Sequence, residues 1–123
     1  MRKIFAVAFV LLFMACQTRA FELVSYYTGA WWETSAPRGF TRSAGEIDLY
    51  FYDDQFVTAD LYYNGALVNT GSGTFTVINS NFWKVTFTTT NNVQFVGTVR
   101  NSFAKGTSKT IPPSAYRGQW QAN

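Results

Sequence analysis

The 123-residue chain contains no histidine and a single cysteine, Cys16. These absences exclude imidazole acid–base chemistry, Ser-His and Cys-His nucleophile pairs, and zinc or iron sites built on His or Cys ligands. No cofactor is implied. A basic footprint is also missing. Arg2, Lys3 and Arg19 lie in the first twenty residues, and from Phe21 onward seven basic residues balance seven acidic ones. Nucleic-acid binding needs clustered positive charge, so no nucleic-acid partner is expected. No 3.6-residue apolar period runs through the body, which excludes a helical domain.

Long hydrophobic runs are lacking except at the start. Residues 4–15 form an apolar stretch of twelve behind Met1-Arg2-Lys3. A spanning helix needs roughly 20 apolar residues. A short apolar run after a positive start is the pattern of a secretory signal peptide, and export follows from it. Two processing sites compete. Thr18-Arg19-Ala20 puts small residues where ordinary cleavage before Phe21 requires them, leaving residues 1–20 as the signal peptide and 21–123 as one domain. Alternatively Cys16, preceded by Ala15 and the apolar run, resembles a bacterial lipobox. That resemblance implies lipidation of Cys16 after removal of residues 1–15, a membrane contact through this anchor alone, and an outer-membrane rather than a free periplasmic or secreted protein.

What is abundant is strand-forming. The body holds 14 Thr and 20 aromatic residues, which favour a pleated sheet. Alternating runs at 26–33, 46–52, 56–63, 66–78, 82–89, 93–100, 103–111 and 115–121 are separated by Asn, Asp, Gly and Ser clusters. The expectation is an all-β, antiparallel up-and-down meander of seven or eight strands, with Pro112-Pro113 at the turn into the last.

Register follows from facing apolar residues. A three-residue loop at Asp53-Asp54-Gln55 pairs Phe51 with Val57, Leu49 with Ala59 and Ile47 with Leu61. Asn64-Gly65 signals a tight turn that pairs Tyr63 with Ala66 and places Ala66 and Val68 inside. Because Phe75 and Val77 have the opposite parity, Gly71-Ser72-Gly73 is expected to form a bulge. Val77 then faces Trp83, Phe75 faces Val85, and Phe87 faces Phe95. The body opens with Tyr27-Thr28-Gly29-Ala30-Trp31 and ends with Tyr116-Arg117-Gly118-Gln119-Trp120. Both read Y-x-G-x-W, and pairing them would close the meander into a barrel without edges.

Gly29-x-Trp31 in the first strand of such a barrel resembles the G-x-W signature of the calycins, the lipocalin and avidin-type barrels. The resemblance implies an eight-stranded up-and-down barrel with one small-molecule site inside. It does not supply the ligand: the lipocalin T-D-Y segment is absent, since Thr58-Ala59-Asp60 does not match it.

The expected inward set is Trp31, Phe51, Phe75, Trp83, Phe87, Phe95, Tyr116 and Trp120. An interior of this size is either filled by such side chains or holds one small ligand. Candidate residues for an apolar or aromatic ligand are Trp31, Trp83, Trp120, Tyr116 and Phe95. The alternative is a filled barrel acting as an interaction or inhibitor module toward another envelope protein. Its candidate surface is the outer face with Asp48, Asp60, Tyr50 and Tyr62, together with the cationic loop of residues 34–45. The register sets Asp48 across from Asp60, a like-charge pair. A flat meander face in so small a domain is a poor cleft for paired-carboxylate catalysis, so a binding protein is expected and an enzyme is not.

Overall fold

The computed structural model describes residues 21–111 and 116–123. Cys16, both processing sites and Pro112-Pro113 lie outside the described residues. Eight strands follow one another: β1 (Leu23–Ser35), β2 (Ala44–Tyr52), β3 (Phe56–Tyr63), β4 (Ala66–Asn79), β5 (Phe82–Thr89), β6 (Val93–Arg100), β7 (Phe103–Thr110) and β8 (Arg117–Ala122). Each pairs antiparallel with its sequence neighbour, and β8 returns to β1, so the meander closes into a barrel.

The turns carry the backbone geometry their residues favour. Asn64 and Gly65 both have positive φ, at 52° and 81°, as a two-residue hairpin turn of this type requires. The loop at residues 53–55 ends with Gln55 at φ 69°. Its amide donates to the Tyr52 carbonyl, and the Asp54 carboxylate accepts from the Phe56 amide. That loop fixes Phe51↔Val57, Leu49↔Ala59 and Ile47↔Leu61, and it sets Asp48 directly across from Asp60. Phe75↔Val85, Val77↔Trp83 and Phe87↔Phe95 also stand as the apolar pattern dictates.

One part of the register differs. Tyr63 does pair with Ala66, but the irregularity follows at once. Tyr62 faces Leu67, Leu61 faces Asn69, and Val68 is the extra residue between them. The pairing then runs unbroken through Ala59↔Gly71 and Val57↔Gly73. Gly71-Ser72-Gly73 is therefore not a bulge; Ala66 is exposed rather than inward, and Val68, also exposed, borders the open mouth of the barrel. The parity change is taken up beside the tight turn, where an unpaired residue breaks fewer ladder bonds. Gly73 has a different task. A Cβ there would collide with the Thr86 carbonyl and the Phe87 backbone, so glycine permits close strand approach.

The two Y-x-G-x-W segments meet: Trp31 faces Trp120, Gly29 faces Ala122 and Glu33 faces Gly118. The row continues on both sides, Trp31 opposite Gly45 and Trp120 opposite Gly106, with Gly106 opposite Gly97. A Cβ on Gly45 would lie 2.8 Å from Trp31 Nε1, and one on Gly97 2.6 Å from Trp120 Cζ2. The glycines clear the space that the indoles fill.

Most of the interior is packed. Trp120, Phe87 and Phe95 fill the middle, with the two Phe rings stacked at 4.8 Å. Tyr27, Phe51, Phe75 and Trp83 close one end, where Phe51 meets Phe75 edge-on at 5.0 Å.

Candidate functional site

The other end is hollow. Where β1, β5 and β7 finish and β2, β6 and β8 begin, a cavity of about 500 Å³ opens. One wall is aromatic and apolar: half-buried Trp31 and Tyr116, buried Phe95 and Leu61, and Val93. The strand pleat sends Trp31 and Glu33 to the same face, so Glu33 also lines the cavity, as do Ser43, Ser108 and Thr110. Arg117 stands at the rim, at the start of β8.

Several polar groups of this wall are held by their own hydrogen bonds. The Ser43 amide donates to Glu33 Oε1 at 2.7 Å, and the Glu33 amide donates to the Ser43 carbonyl at 2.8 Å. Asn69 Nδ2 and Thr89 Oγ1 both donate to Asn91 Oδ1. Thr89, the one buried polar side chain among the described residues, also accepts from the Val93 amide at 3.0 Å. These bonds fix the carboxylate and the amides before anything enters. The Trp31 indole N–H is buried and has no partner among the described residues. An unpaired buried donor is costly; this one lies over Gly45, so it is the face of the Trp31 ring, not its N–H, that the cavity meets.

No family model, curated protein or solved structure matches the chain.

The structure separates the aromatic candidates. Trp31, Tyr116 and Phe95 meet at the cavity. Trp83 lies at the closed end, beside a small polar recess of about 140 Å³ with Ser25, Asn81 and Asn101. Trp120 is sealed in the middle, 1% exposed, and its indole N–H is likewise unpartnered among the described residues. The polar half of the cavity escaped the sequence reading. Glu33 had a usable signal, since it stands two residues after an inward Trp. Asn69 had none, because its inward parity depends on the bulge at Val68.

The outer face is a separate feature. Tyr26 and Tyr50 stack with centroids 5.1 Å apart, and Tyr62 lies on the same face as Asp48 and Asp60. Partial burial pushes the Asp48 carboxyl up, and the Asp60 charge adds to this; burial likewise raises Asp60. Burial, and then these two carboxylates, push the Tyr50 phenol well above its usual range. This patch lies on the convex outside, away from the cavity.

Proposed function

We propose that this is an exported binding protein of the bacterial cell envelope that holds one small molecule in the mouth of its barrel. The observation that carries the reading is the cavity itself. At about 500 Å³ it falls within the roughly 300–1,000 Å³ of small-molecule sites. It also pairs one aromatic wall with a few pre-positioned polar groups, as such sites do. The polar half refines the ligand class. A molecule with a flat or apolar ring stacks against Trp31 and Phe95, while hydroxyl, amide or amine substituents meet Glu33, Asn91 and Ser108. A purely apolar ligand would strand the Glu33 carboxylate without water, which is unfavourable.

Binding rather than catalysis is supported by the residue types. Among the described residues the cavity wall offers a single carboxylate, Glu33, and the chain has no histidine to work with it. The calycin resemblance supports the same reading, and the lipobox-like Cys16 supports attachment at the outer membrane.

The test is a panel of small polar ring compounds, titrated while intrinsic tryptophan fluorescence is read. Binders should quench or shift the wild-type signal. Glu33→Gln and Asn91→Ala should each weaken those binders about tenfold, the scale of one hydrogen bond. Binding unaffected by either change would remove the cavity from the account.

A further inference from the structure

Charge is sorted around this barrel. Every carboxylate side chain of the described residues lies on β1–β3 or the segments flanking them, and Glu46, Asp48 and Asp60 stand on the outer face. Asp53 and Asp54 extend that face at the β2–β3 turn. Five of the seven described basic residues, Lys84, Arg100, Lys105, Lys109 and Arg117, are exposed on β5–β8, while Arg38 and Arg42 lie in the β1–β2 connection at the mouth. In a closed barrel of eight strands, β2 and β6 lie four strands apart whichever way one counts. The acidic and basic faces therefore point in opposite directions.

Each face also carries a like-charge pair in direct register. Asp48 opposes Asp60 across β2–β3, and Lys109 opposes Arg117 across β7–β8. Such pairs destabilise a lone sheet, and a face of opposite charge relieves both. Among the described residues, neither aspartate pairs with a basic side chain within its own barrel. The Tyr26–Tyr50 stack and Tyr62 give the acidic face rings on which ammonium and guanidinium groups can rest. Because the body charges balance, no net repulsion opposes the approach of two copies.

We propose that the chain self-associates, the acidic tyrosine face of β2–β3 in one copy docking on the basic face of β6–β8 in the next. The two surfaces are different and lie on opposite sides. The contact is therefore heterologous and leaves a free face of each kind at the ends, so it extends as a row of copies instead of stopping at a pair. Closure of the sheet leaves no edge for strand addition, so the faces carry the contact. This surface meets the mouth cavity only at Arg117, which stands at its rim.

The experiment is sedimentation velocity on the protein purified after export from its full-length gene, in roughly 20 mM and roughly 500 mM salt, which span strong and weak screening. The weight-average mass should rise with concentration at low salt and return to that of the monomer at high salt. Two neutralised variants, Asp48→Asn/Asp60→Asn and Lys105→Gln/Lys109→Gln/Arg117→Gln, should each be monomeric with unchanged circular dichroism. Mixed in equal amounts, they should form a one-to-one pair, since each retains the face the other needs. A wild type that stays monomeric at low salt overturns the proposal, as does association of either variant alone or failure of the mixture. A monomeric wild type that sediments with phosphatidylglycerol vesicles would instead assign the basic face to a membrane surface.

Discussion

Trp31 and Trp120 stand directly opposite one another across the seam between the first and last strands, and their indoles lie over glycines on opposite sides of it. Trp31 covers Gly45 of β2, whereas Trp120 covers Gly106 of β7 and Gly97 of β6. Five neighbouring strands are thus locked by one row in which two adjacent tryptophans are flanked by glycines on both sides. Half-buried Trp31 reaches the cavity, while Trp120 seals the barrel beneath it.

That row sets the first expectation. Gly106→Ala places a methyl against Trp120 Nε1 and the backbone of Gly97 and Val96. Overpacking of this kind costs about 1–3 kcal/mol. Trp120→Ala, which empties a fully buried site, should cost about 3–5 kcal/mol. Urea denaturation followed by circular dichroism measures both.

The acidic pair gives an expectation of opposite sign. Asp48→Asn or Asp60→Asn should stabilise the barrel near neutral pH by about 0.2–1 kcal/mol, because a like-charge cross-strand pair is removed. Both carboxyls hold their protons more tightly in the folded barrel than at the ordinary value of 3.8. Their contribution to wild-type stability should grow as pH falls from the raised folded values toward that ordinary value, and fade as pH rises above them. Asp48→Asn/Asp60→Asn should lose this dependence, which melting temperatures taken across that range would show.

The apolar alternation and the turn residues made most of the fold legible. Asn64-Gly65 and the loop at 53–55 pin two hairpins, and the facing aromatics pin β4–β5 and β5–β6. The bulge was misplaced because Gly71 and Gly73 look like breakers, whereas the structure uses them as inward positions without a side chain. Val68, a good strand former, gives no sign that it is the unpaired residue. The aromatic wall of the cavity was legible from parity. The polar wall was not, because Asn69 and Ser108 belong to strand ends and Asn91 to the β5–β6 turn, brought together only when the barrel closes.

Closure can be tested by truncation. A chain ending at Ile111 loses β8, the partner of both β1 and β7. It should be unfolded or aggregated, since two edges and the site of Trp120 are opened together. A folded, monomeric product by size-exclusion chromatography and circular dichroism would contradict this.

Processing has its own readout. Cells fed an alkyne palmitate analogue should label the wild type and leave Cys16→Ser unlabelled. A mature N-terminus at Phe21 in the wild type would replace the lipid anchor with ordinary export.

The central claim is that the barrel mouth is the binding site, and the indole N–H region of a ¹H–¹⁵N correlation spectrum tests it most directly. Each of the four tryptophans gives one indole signal, and three of them sample different depths of the barrel. With the small polar ring compounds that bind, the Trp31 indole and the amides of Ser43, Asn91 and Ser108 should move, while the indoles of Trp83 and Trp120 stay in place. Binding that shifts the Trp83 indole or the outer tyrosine face and leaves Trp31 unmoved would contradict the account.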